Sequence, residues 1–190
     1  MSTLVALLLA LVLGASGVAH LRAPRVTAAQ LRAHGLRPVG PAAVLVLGSA
    51  ESVVALWLLR SAPDATAGAL PLALAGAFLI GCAAHLARVR ARGGSGLPCG
   101  CGLGEGGVGG WSVTRAAVLG AVGLLAAAAR LEGVATTPVG AAEWIITLTA
   151  AATFAVLAAV LPAARPPQEV RRSAGAVPPV ATSPTPGGAA

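Results

Sequence analysis

The sequence predicts a polytopic all-α membrane protein, and three observations predict it. Of the 190 residues, 56% are hydrophobic and only 10% are charged, whereas a soluble domain carries about a quarter charged residues. The apolar residues gather into five continuous Leu- and Ala-rich runs, each close to the roughly 20 residues that a helix needs to cross the hydrocarbon core. The charges lie between those runs and alternate in density, which is the pattern of membrane topology. The runs lack the apolar–polar alternation of a membrane β-strand, so helices are the spanning elements.

The predicted spans are 4–19, 41–59, 70–87, 113–129 and 141–161, and together they make 1–161 one transmembrane domain. No Lys or Arg precedes the first run. It therefore lacks the basic region of a secretory signal peptide and reads as a span. Between the first two spans, Thr27 followed by Gln30 matches a capping box. It predicts a short surface helix; an ordinary connecting loop is the alternative. Arg25, Arg32 and Arg37 would then lie beside anionic headgroups, at about 1 kcal/mol each. Pro41 and Pro71 fall in the first turns of the second and third spans, where a missing N–H costs least. Small residues at spacing four, Ala73/Ala77/Gly81 and Ala116/Gly120, predict close helix contacts. Trp57, Trp111 and Trp144 fall at span ends, as an interfacial belt requires. Pro162 stops the fifth span, and the Pro-, Ala- and Gly-rich segment 162–190 is predicted to be a disordered tail.

Orientation follows from arginine, which supplies all 13 basic residues. With five spans, eleven of them fall on one side: Arg22, Arg25, Arg32 and Arg37, then Arg88, Arg90, Arg92 and Arg115, then Arg165, Arg171 and Arg172. The other side keeps Arg60 and Arg130. The arginine-rich side is expected to be cytoplasmic, with the N-terminus outside and the C-terminus inside. Arginines spread this way, with few aromatics, do not form a nucleic-acid surface.

The chemistry-bearing residues fall mainly in one place. The segment 93–110 holds ten of the chain's 25 glycines and includes Cys99 and Cys101, separated by Gly100. Gly102, Gly104 and Gly107 formally fit a dinucleotide-binding fingerprint, but no strand precedes them. The cysteine spacing is neither CxxC nor a zinc knuckle. Three chemistries fit the pair. A strained, easily reduced disulfide would serve catalysis or regulation. Two thiolates could hold one soft metal ion. Two idle thiols in a loop are the third reading, and no metal-ligand set is assigned. Cys82 and His85 share a helix face at the same end of the bundle, and His20 ends the first span there. A cluster of these with the loop cysteines is geometrically allowed; the alternative is a small buried thiol and interfacial imidazoles. Glu51 sits near the middle of the second span. An acid there costs roughly 2.5–3.5 kcal/mol even on the cheaper insertion scales, which marks a functional or helix-pairing role. Arg115 is its nearest candidate partner in charge, though it lies close to the end of its span.

Four features in order are Ser16-Gly-Val-Ala-His-Leu-Arg-Ala-Pro24, Glu51, Pro98-Cys-Gly-Cys-Gly102 and Trp111-Ser-Val-Thr-Arg115. This order resembles the MauE group of methylamine-utilisation membrane proteins, within the wider DoxX-like membrane family. The likeness spans roughly residues 8–130, and Cys-Gly-Cys before an Arg-headed helix is its most specific element. His20 stands where the family usually has Lys, Gly102-Leu103-Gly104 where it has Phe-Gly, and Ala116 where an Asn often follows the Arg. The resemblance implies a DoxX-like four-helix bundle, to which the fifth span is an addition. It further implies a role in maturing methylamine dehydrogenase by thiol–disulfide exchange with a thioredoxin-like, MauD-type partner. Cys99 and Cys101 would be the exchanging pair, with Arg115, His85, His20, Cys82 and Glu51 in support. The resemblance implies periplasmic thiol chemistry, while the arginine count puts both cysteines in the cytoplasm, where thiols stay reduced. A carrier with its cysteines on one face would need a second carrier, such as a quinone. A non-enzymatic assembly protein, or a solute or proton pathway around Glu51, are the alternative functions.

Overall fold

The computed structural model describes residues 2–64, 67–100, 107–133 and 140–160. Among them the chain is all-helical: α1 (Ser2–Arg22), α2 (Pro24–Ala33), α3 (Pro41–Ser61), α4 (Ala69–Ala91), α5 (Gly110–Leu131) and α6 (Ala141–Val160). Four of these, α1, α3, α4 and α5, are long and apolar enough to cross a membrane. They coincide with the first four predicted spans and extend them by up to four residues at an end, because arginines such as Arg22, Arg88 and Arg90 continue the helix past the apolar run. The fifth span corresponds to α6, whose apolar stretch, Ala141–Val156, is shorter. The chain is a multi-pass membrane protein. The proposed tail, 162–190, lies outside the described residues.

The bundle is built from two tight helix pairs, each closed by facing glycines. In the α1–α3 pair, a Cβ on Gly17 would stand 2.8 Å from the Gly48 carbonyl oxygen, and one on Gly48 would stand 2.9 Å from that of Gly17. The α4–α5 pair repeats this: a Cβ on Gly76 would meet the Gly120 carbonyl at 2.8 Å, and one on Gly120 would meet that of Gly76 at 2.9 Å. No side chain fits at either crossing, and close backbone approach is what holds helices together where lipid removes the hydrophobic drive. The stripe Ala73/Ala77/Gly81 is therefore corrected. Gly81 faces open space, and the buried face of α4 runs through Leu72, Ala75, Gly76, Leu79 and Ala83. The predicted stripe lies on a face rotated from the contact face by about one residue, or 100°. The Ala116/Gly120 stripe does lie on the contact face of α5. Leu9, Leu13, Leu58 and Leu72 fill the space between the pairs. α6 adds Ala151 and Trp144 against this core and leaves most of its surface outward.

Two further corrections concern the ends. α2 begins at Pro24 with Ala23 as its N-cap, and no side chain caps it. Thr27 lies inside the helix and is buried. Proline at the first position fixes φ and starts the helix three residues before the capping-box site. Arg130, counted as a topology charge, is only 1% exposed. Its guanidinium donates to the carbonyls of Ser61 and Ala62, both at 3.1 Å, and to that of Asp64. The Ser61 carbonyl also accepts from the Asp64 amide and that of Ala62 from Thr3 Oγ1, so the guanidinium reinforces the turn that follows α3, and a cation at a helix C-terminus favours the dipole. Gly68 makes room for it: a Cβ there would lie 1.9 Å from Arg130 Nη1. Seven arginines at the opposite end, Arg22, Arg25, Arg32, Arg37, Arg88, Arg90 and Arg92, are exposed.

Candidate functional site

At the arginine-rich end the two helix pairs separate around a cavity of about 380 Å³. Its walls are largely apolar, with Val12 and Leu13 from α1, Phe78 and Leu79 from α4, and Leu119 from α5. Polar groups converge on it from five elements: His20, Glu51, Cys82 and His85, Arg115, and His34 just beyond α2. Cys99 and Gly100 also line it. A second pocket of about 130 Å³ shares Leu13, Leu47, Glu51 and Phe78 with the first, so Glu51 stands between the two.

The mid-span acid finds its partner in α1. His20 Nδ1 lies 2.9 Å from Glu51 Oε2, and the two side chains are 4% and 5% exposed. Gly48 is what brings them together, because a Cβ there would be 3.0 Å from the His20 Cβ. The other ring nitrogen, His20 Nε2, lies 3.0 Å from the Gly100 carbonyl oxygen. A carbonyl can only accept, so Nε2 must carry a proton. One further proton is then shared between Nδ1 and the carboxyl group. If it sits on nitrogen the pair is imidazolium and carboxylate; if on oxygen, both partners are neutral. Either way the pair has no net charge, which makes an acid tolerable about 15 Å from the helix start. Arg115 lines the same cavity but is not the partner in this bond.

The glycine-rich segment folds into this end of the bundle. Leu97 and Val108 are joined by a backbone hydrogen bond of 2.7 Å, and Pro98 bridges antiparallel to Gly107. Ser112 Oγ donates to the Gly107 carbonyl at 3.2 Å. Cys99 is buried, with Leu86, Val89 and Val108 packed around it. Its flanking carbonyls are both held by buried histidines: Gly100 by His20, and Pro98 by His34 Nε2 at 2.7 Å. Gly100 has φ +70°, the left-handed region that favours glycine. Cys101 falls outside the described residues.

The structure thus brings together His20, Glu51, Cys82, His85, Cys99 and Arg115 around one cavity. His34 is the residue that sequence reading missed. It follows α2, is 6% exposed, and its ring centre lies 5.6 Å from that of His85. Its signal was compositional: it is one of only three histidines, and all three line the cavity. Among the described residues, no three His, Cys, Asp or Glu side chains are arranged to hold a metal ion.

With this geometry in view, comparison with known families is decisive. Residues 1–131 match the family of methylamine utilisation protein MauE. The chain belongs to the MauE family. The match ends at the last residue of α5 and so covers the four-helix core with every cavity-lining residue, while α6 lies beyond it. No curated protein and no solved structure matches the chain. As a MauE protein it is an integral membrane protein whose four long helices carry the site.

Proposed function

We propose that this MauE protein is a membrane-embedded thiol–disulfide exchange factor that supports the maturation of a partner protein. The observation that carries the reading is the way the cysteine loop is held. Two buried histidines grip the carbonyls on either side of Cys99, and the loop so held lines a cavity together with a shared-proton pair and an arginine. A loop of idle thiols needs no such support. Cys99 and Cys101 form the exchanging pair, and Arg115, through its positive charge, favours the thiolate that attacks. His20 and Glu51 position the loop, and Cys82 and His85 complete the wall. In the exchange, a thiolate of one dithiol attacks the disulfide of the other. A mixed disulfide forms, and the second thiol resolves it. One S–S bond is lost and one gained, and the two protons of the consumed dithiol pass to the thiolates released.

The partner class is a thioredoxin-like, MauD-type protein, and the family name points to methylamine utilisation as its setting. The protein resides in the cell membrane with its N-terminus outside. The domain 1–161 spans the bilayer, and the tail 162–190 lies in the cytoplasm. The exposed arginines at the cavity end support that orientation, since Arg130 at the other end is consumed as a helix cap and leaves Arg60 as the exposed arginine there. The test is partner maturation in Cys99→Ser and Cys101→Ser strains. Each should abolish it, and full maturation in both would overturn the reading. An assembly protein that docks through its loop would tolerate both serines but not deletion of 101–106. A proton pathway would fail with Glu51→Gln and tolerate both serines.

A further inference from the structure

Two imidazole nitrogens at the cavity are not used by the described residues of the loop. His34 Nε2 must donate, because its partner is the Pro98 carbonyl. In the neutral ring Nδ1 is then a bare acceptor, and it is buried without a hydrogen-bond partner among the described residues. His85 Nε2 is also buried and has no partner among the described residues, on a ring 5.6 Å away; it donates or accepts according to its tautomer. A buried polar atom left this way calls for an occupant. The cavity of about 380 Å³ falls within the range of small-molecule sites, about 300–1,000 Å³. Its apolar walls lie within membrane-spanning helices, which suits a membrane-soluble occupant. It must be compact, mostly apolar, able to present an O–H to His34 Nδ1, and able to hydrogen-bond His85 Nε2 in either direction. A metal ion fits less well, because the described side chains offer no three-ligand set.

We infer that this cavity binds the head group of a membrane-soluble quinone, and that the reduced quinol form is held by His34 and His85. Binding stands independently of the exchange reading; its use rests on that reading. When the Cys99–Cys101 dithiol is oxidised, two S–H bonds are lost and one S–S bond forms. The two electrons and two protons convert the two quinone carbonyls to hydroxyls. This supplies the second carrier that cysteines on one face require.

The test is a titration of the full chain in lipid nanodiscs with a decyl-substituted benzoquinone and with its quinol. Quenching of Trp111, which immediately precedes the cavity residue Ser112, is read in a background of Trp57→Phe and Trp144→Phe. Saturable quenching by both forms is expected. His34→Leu and His85→Leu should each weaken quinol binding at least tenfold, and His34→Leu should weaken quinone binding less, since a quinone has no O–H to donate to Nδ1. His34→Gln, which retains an acceptor, should recover part of the loss. Cys82→Phe, which fills the cavity, should abolish saturation for both. Binding should persist in the Cys99→Ser/Cys101→Ser variant, which separates this site from the exchange reading. Quenching that rises linearly without saturation, or that ignores His34→Leu, His85→Leu and Cys82→Phe alike, would overturn the assignment. So would stoichiometric zinc binding lost in His34→Leu without any quinol binding.

Discussion

Removing both halves of the His20–Glu51 pair should cost much less than the sum of removing each alone. The two side chains are 4% and 5% exposed and meet at 2.9 Å. Glu51→Leu leaves His20 Nδ1 buried without a partner, at about 1–3 kcal/mol for the orphaned group. His20→Leu leaves a carboxyl near mid-membrane and also strips the Gly100 carbonyl of its donor, so two groups are orphaned and about 2–5 kcal/mol is lost. The double variant orphans only the Gly100 carbonyl, so its loss should fall near 1–3 kcal/mol. The coupling between the two sites should therefore exceed about 1 kcal/mol, well beyond the additivity of independent positions. Glu51→Gln is the informative conservative change. Its amide can donate to Nδ1 of a neutral His20 whose Nε2 proton is already fixed by Gly100, so the cost should stay near 1 kcal/mol. The assay is thermal unfolding of the four variants in one detergent, followed by tryptophan fluorescence. At this chain length roughly 2–4 °C in Tm corresponds to 1 kcal/mol. Additive losses in the double variant would refute a shared-proton pair.

Three further changes test other parts of the structure. Arg130→Met should destabilise by about 3 kcal/mol, because three carbonyls at the end of α3 lose a charged donor; a Tm shift below about 3 °C would contradict the capping role. Gly120→Leu should separate α4 from α5, since even a Cβ there would lie 2.9 Å from the Gly76 carbonyl, and an engineered disulfide across the pair should then fail to form; its unchanged formation would refute the crossing. Gly100→Ala should cost about 1–2 kcal/mol through the positive φ, and should accelerate hydrogen exchange at Val108, whose amide bonds Leu97; unaltered exchange there would show that the loop does not depend on this geometry.

The four-helix core was legible because span length and apolar continuity are local properties, and four separate runs carried them. The acid at Glu51 was legible as an anomaly of depth. Its partner was not, because which residue of α1 faces Glu51 depends on the stagger of two antiparallel helices. That stagger is set by the Gly17–Gly48 contact, which no periodicity in either helix reveals. The same reason explains the misplaced stripe on α4: small residues at spacing four exist on more than one face, and Gly76 rather than Gly81 meets α5. Arg130 read as a topology charge because its three acceptors lie about 66 to 69 residues away in the chain. His34 was invisible as a site residue because its role depends on the loop folding back over α2. The cysteine loop itself was the opposite case, since its composition announced a site that the fold then surrounded with imidazoles.

The central claim, that Cys99 and Cys101 cycle between dithiol and disulfide, is tested most directly by their oxidation state in the native membrane. In a Cys82→Ala background, acid-quenched cells are denatured and alkylated with a large maleimide, with and without overexpression of a reduced thioredoxin-like partner. The account predicts a resting fraction with no mass shift, which gains two shifts when the partner dithiol is supplied. Two shifts under every condition would mean that the thiols never pair, and would contradict it.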